Sequence, residues 1–288
     1  MRRASRGARI GEYMTVTNAV ETTMIWGIVS GASMVGMVIS LLLSVVLPIF
    51  LGIFIYKKTK AWVPAFFIGC GIFVGFAMIL EQICHAIVLT VTGSAIRDNI
   101  WLYAIYGGLA AALFEECGRW IAMKFCLKKH LTRENALMYG AGHGGIEAFL
   151  ILGMSSMSNL LTAAMINGGL MEKTMTALEP AQQEVTYHQL SVLWTTPAYQ
   201  FYLAPVERIS AIALQIALSI LVYSAVKTGR KLQLAAAFGL HFAVDFLTVI
   251  CAAAIPTWAL ELGLLLVIAV ICVVVYQLVY VQMAEKKA

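Results

Sequence analysis

Apolar residues run along the chain in long, nearly uninterrupted stretches separated by short polar or basic clusters. A hydrocarbon core of about 30 Å needs roughly 20 apolar residues as helix, and seven segments meet that length: 28–56, 61–81 with a continuation toward 93, 100–123, 134–160, 203–226, 232–254 and 258–282. The breaks between them are KKTK (57–60), a polar stretch around 93–100, KFCLKKHLTR (124–133), a long mixed stretch at 169–202, KTGRK (227–231) and a turn at Pro256. The pattern predicts an all-α, polytopic helix bundle of seven spans with its polar residues in a central cavity. Within 169–202, pieces such as QLSVLW and AYQFYL mix apolar and polar residues like helices at an interface, so the stretch reads as an external loop anchored by Trp194, Tyr199 and Tyr202. A substrate lid or partner contact is the other reading of that loop.

Composition agrees, since 61% hydrophobic against 12% charged residues lies far from a soluble domain. The net charge of +5 is informative only by position. With seven spans, the first, third and fifth connections and the C-terminal AEKKA share one side and collect twelve Lys and Arg, against Arg97 and Lys173 opposite. That bias predicts a multi-pass protein of a plasma membrane with its C-terminus cytoplasmic, and makes the lipid bilayer rather than nucleic acid the partner of the charge. Arg2, Arg3, Arg6 and Arg9 run against it. Residues 1–23 read as a short tail, or as an over-extended start with Met14 or Met24 as the first residue; 24–282 read as one transmembrane domain and 283–288 as a cytoplasmic tail. The six cysteines are scattered through apolar segments with no CxxC pair, as buried core residues.

The candidate chemistry lies in charges inside the spans. Each ionised side chain at a helix centre costs about 2.5–3.5 kcal/mol on insertion scales, so Glu115, Glu116, Arg119, Glu147, Arg208 and Asp245 must face the bundle interior and one another. Counting from the basic residue that closes each span at about 1.5 Å per residue places Glu115, His143 and His241 at one depth, about 13–15 Å from the Lys-rich face. Glu147 and Asp245 follow their histidines by four residues, on the same helical faces and about 6 Å deeper, and Gln215 arrives near the same plane. Glu207 and Arg208 fall about 28–30 Å from that face, where a structural or lid-tethering ion pair is expected. In LFEECGRW, Arg119 stands four residues after Glu115 and three after Glu116 and can hold either carboxylate. Adjacent helical residues diverge by about 100°, so one glutamate is expected to face the cavity as a base while the other orients Arg119 or a histidine. Gly140, Gly142, Gly144 and Gly145 around His143 allow close approach of another backbone, or leave room for water and an extended peptide. His85, His130 and His188 are expected at surfaces.

Taken together, EECGR (115–119), HGGIE (143–147), Glu207–Arg208 and HFAVD (241–245) resemble the YhfC family of bacterial membrane proteins, grouped with the PrsW and CAAX-processing intramembrane endopeptidases. The resemblance covers about residues 30–282. It implies hydrolysis of a peptide bond in a membrane-associated protein or peptide, with Glu115 and His143 activating water and His241 and Asp245 binding the oxyanion or a metal. The active set would then be Glu115, Glu116, His143, His241 and Asp245, supported by Arg119, Glu147, Gln215, Glu207 and Arg208. This chain has EExxR where many CAAX-processing relatives have EExxxR, and Gln215 where the YhfC pattern commonly has a histidine. No HExxH motif is present, and a scheme without a cofactor is favoured; the alternative is zinc on His143, Glu147 and His241. Buried acids and histidines at one depth also suit a proton- or ion-coupled transporter or channel, and a binding protein of the same fold without activity is the third reading.

Overall fold

A computed structural model describes residues 24–285; the predicted tail 1–23 lies outside the described residues, as do positions 286–288 of the C-terminal tail. The described chain is helical without strands. In order it forms α1 (Gly31–Thr59), α2 (Pro64–Thr92), α3 (Ile100–Cys126), α4 (Arg133–Asn167), the short α5 (Leu170–Met175) and α6 (Pro180–Thr195), then α7 (Ala198–Thr228), α8 (Lys231–Ala252) and α9 (Thr257–Val281). All except α5 and α6 are long and apolar enough to cross a membrane, giving the seven spans expected from the pattern.

Polar residues at the breaks set the helix ends. Asn99 Oδ1 accepts the N–H groups of Trp101 and Leu102 at 3.0 and 3.2 Å to open α3, and Thr132 Oγ1 accepts that of Asn135 at 3.2 Å to open α4. Gly229, at φ 74°, closes α7 in the left-handed conformation that glycine adopts without strain, so α8 can begin two residues later.

α7 is the axis of the bundle. In its most apolar window 72% of residues are buried, against at most 33% in any other span, so the other helices keep wide apolar faces for lipid. α4 packs between α2 and α7, α8 lies along α3, α9 on α7, and α1 touches both α4 and α7. The glycines of α4 make this possible. A Cβ at Gly142 would overlap the Phe66 carbonyl of α2, and one at Gly140 would lie 2.7 Å from Ile216 Cα of α7. The expected room for water or an extended peptide beside His143 is therefore absent, because neighbouring helices fill it and His143 is fully buried. Gly142→Ala is expected to destabilise the fold by about 1–3 kcal/mol or more through overpacking, seen as a lower melting temperature in detergent. Gly71→Ala, which points into open space, should leave it unchanged.

Candidate active site

Glu115 and Glu116 diverge as adjacent helical residues must. Glu115 Oε2 meets His143 Nε2 of α4 at 2.9 Å and the Gln215 side-chain amide of α7, also at 2.9 Å. Glu116 turns toward α8, where its Oε1 lies 2.8 Å from His241 Nδ1. Arg119 sits fully buried between them. Its Nη2 is 3.7 Å from Glu115 Oε2 and its Nε 3.3 Å from Glu116 Oε2, the latter pair too poorly aligned for a hydrogen bond and therefore Coulombic. Nη1 donates to the Gln215 backbone carbonyl at 2.7 Å and to Ser219 Oγ at 3.0 Å, and Nη2 donates to Gln215 Oε1.

Gln215 links the cluster, and its neighbours fix which way the amide points. The Nε2 group donates to Glu115 Oε2 and, at 2.8 Å, to Glu147 Oε2, while Oε1 receives the guanidinium. The reverse orientation would set an oxygen against two carboxylates and an N–H against a cation. The same logic assigns His143. Its Nε2–H donates to Glu115, and its Nδ1 faces the Tyr139 hydroxyl at 3.5 Å, so the ring is oriented from both ends.

Beside this cluster lies a cavity of about 360 Å³. Glu115, Gln215, Glu147, His241 and Asp245 line it. Both hydrogen bonds to Glu115 fall on Oε2, which leaves Oε1 for the cavity. Glu116 holds Nδ1 of His241, and the ring's Nε2 lies 4.0 Å from Glu115 Oε2 and 3.6 Å from Asp245 Oδ2. The lining continues along α3 to Tyr103, along α8 to Val249 and along α7 to Glu207 and Arg208. It thus runs from the level of Glu115 away from the Lys-rich face.

The matched depth read from the spans brings Glu115, His143 and His241 together, but with unequal access. His241 touches the cavity; His143 does not and reaches it only through Glu115. The ion pair expected of Glu207 and Arg208 is present, and it reaches further into the bundle than a pair between those two alone. Arg208 spans the distance with its long side chain, its Nη1 meeting Glu147 Oε1 at 3.2 Å while Nη2 pairs with Glu207, so both residues belong to the cavity wall. His85, expected at a surface, is partly exposed and also paired within the chain: its Nδ1 meets Tyr106 Oη at 2.7 Å and its Nε2 meets Glu81 Oε1 at 3.2 Å. Four residues escaped the sequence reading. Tyr139 and Ser219 lie one turn from His143 and Gln215 on the same faces, and Glu81 and Glu261 are buried acids within spans. The intramembrane-charge criterion applied to Glu115 would have found the last two.

The zinc set does not fit this arrangement. His143 Nε2 is occupied by Glu115 with the Arg119 guanidinium 3.3 Å away, a cation where a dication would have to bind. Glu147 is held by Gln215 and Arg208. Among the described residues no group of three or more His, Cys, Asp or Glu is arranged to hold a metal ion.

Comparison with known proteins bears on the same residues. The family model described as YhfC intramembrane metalloprotease matches residues 43–272, which include every element of the cluster. The "Uncharacterized membrane protein YhfC" of Bacillus subtilis (strain 168) is 41% identical over 222 residues, covering 74% of this chain and 83% of the relative. No solved structure matches. By the extent of the model match and the identity to that relative, the chain belongs to the YhfC family.

Proposed function

We propose that this chain is an intramembrane endopeptidase that hydrolyses a peptide bond of a membrane-associated protein or peptide without a metal. The observation that carries the reading is the shared cavity. Glu115 from α3 and His241 from α8 line it together, each aimed by a buried partner, His143 with Gln215 for the first and Glu116 for the second. The family's name supports a peptidase.

In the proposed reaction Glu115 takes a proton from a cavity water whose oxygen attacks the scissile carbonyl carbon. The carbonyl oxygen gains the negative charge and accepts a hydrogen bond from His241 Nε2–H, on a ring flanked by Glu115, Glu116 and Asp245. Collapse of the tetrahedral intermediate breaks the C–N bond, and the proton held by Glu115 passes to the leaving nitrogen. His143 and Gln215 are positioning residues. Arg119 fixes Gln215 and balances the two glutamates, and Arg208 with Glu207 holds Glu147 in the wall. In this proposal the protein lies in the bacterial cytoplasmic membrane with its Lys-rich face and C-terminus in the cytoplasm, so the cavity receives water and substrate from the opposite side.

The test is a pool of membrane peptides co-reconstituted with the purified chain in proteoliposomes and read by mass spectrometry for new termini. Glu115-dependent ion flux with no new termini would assign the chain to transport instead. Metal analysis of the same preparation is expected to give substoichiometric zinc and cleavage that persists after chelation. Stoichiometric zinc lost in His241→Ala would overturn the metal-free scheme.

A further inference from the structure

On the Lys-rich face a groove of about 670 Å³ separates α3 from α8. Cys117 and Trp120 form one wall and Leu234, Ala235 and Phe238 the other, and among the described residues its charged ones are Lys231 and Glu116. It merges, through Trp120, Lys231 and Leu234, with a pocket of about 260 Å³ lined by Lys124, Arg230 and Lys231 and, among the described residues, no carboxylate. The turn at Gly229 brings the last two there at the start of α8. Arg230 occupies the N-cap position but makes no side-chain capping bond, so the positive end of the α8 dipole adds to the three cations. The Lys124 ammonium lies 4.3 Å over the Trp120 ring, joining the charged pocket to the apolar trough.

We propose that this groove is a binding site for an anionic phospholipid, with the phosphate among Lys124, Arg230 and Lys231 and an acyl chain along Trp120, Leu234 and Phe238. The chemistry selects this occupant over a polypeptide. A peptide segment at this depth would need partners for its backbone N–H and C=O groups, which an apolar trough does not offer. A cluster of three cations with no acid among the described residues that line it, at the level of the headgroups, suits a phosphate monoanion. The inference does not depend on the peptidase reading. It does carry a link to that site, since Glu116, at the groove's edge, also holds His241.

The experiment reconstitutes the full chain in phosphatidylcholine vesicles containing equal mole fractions of brominated phosphatidylglycerol or brominated phosphatidylcholine. The Trp120 emission, taken as wild type minus Trp120→Phe, is expected to be quenched with a preference for the anionic lipid on the order of tenfold. Arg230→Gln/Lys231→Gln should remove that preference. Equal quenching by both lipids would overturn the proposal, as would quenching by neither, the result for a groove covered by a second polypeptide. Native mass spectrometry of the wild-type protein gives a measurement that needs no Trp variant. Phosphatidylglycerol should survive detergent exchange on the wild type in preference to phosphatidylcholine, and equal retention would contradict the site.

Discussion

Glu115→Gln is expected to lower peptide hydrolysis by a factor on the order of 10²–10⁴, the usual contribution of a positioned general base, while the protein stays folded. The substitution keeps the shape of the side chain and its contact with the Gln215 amide through the carbonyl oxygen, and removes only the capacity to accept a proton from water. Glu115 is nearly buried and lines the cavity, and both of its hydrogen bonds fall on Oε2. His143→Gln provides the contrast. Because His143 acts through Glu115 and has no cavity surface, a glutamine amide can still donate to Glu115. The loss should then be about tenfold, smaller than for removal of the base itself. Initial rates on one cleaved peptide, at matched melting temperature, check both. If His143→Gln abolished cleavage and Glu115→Gln did not, the roles would be reversed.

Arg119→Ala is expected to be the most damaging substitution for folding. Its guanidinium lies between Glu115 and Glu116, and it also satisfies the backbone carbonyl and side-chain oxygen of Gln215. Breaking a buried pair by removing one partner costs about 3–5 kcal/mol, a large part of a typical total stability of about 5–15 kcal/mol. Arg119→Lys should rescue little, because an ammonium cannot reach Ser219, Gln215 and both glutamates with one geometry. Arg119→Ala combined with Glu116→Gln should recover part of the loss, since one uncompensated carboxylate is removed. Yield of monodisperse protein and melting temperature in detergent measure this; an unchanged melting temperature in Arg119→Ala would show the ion cluster to be unimportant for the fold.

Hydropathy and length made the seven spans readable, because a bilayer leaves a chain few alternatives. Depth along each helix was readable too, since rise per residue is fixed, and it brought Glu115, His143 and His241 to one level. Direction around the helix axis was not. Both histidines lie beside Glu115, yet only His241 opens to the cavity, because Tyr139 and close contacts with α2 and α7 hold His143 behind the carboxylate. The pair of Arg208 with Glu207 was readable, but its second contact was not, because depth counted to a Cα does not show how far a long side chain reaches toward Glu147. The continuation of α2 to Thr92 was readable from the apolar run, whereas the contacts of His85 with Glu81 and Tyr106 were not, because Tyr106 comes from another helix. Gln215 reads as a missing ligand when compared with a family histidine. In place, its amide serves two carboxylates and a guanidinium at once, which a single imidazole could not do.

The central claim is that water in the cavity beside Glu115 is the nucleophile. It is tested most directly by cleaving a membrane peptide in proteoliposomes made in ¹⁸O-labelled water and weighing the new C-terminal fragment. The account predicts one labelled oxygen in the new carboxylate with wild-type protein and no fragment with Glu115→Gln. A fragment formed at the same rate by Glu115→Gln, or one carrying no label, would contradict it.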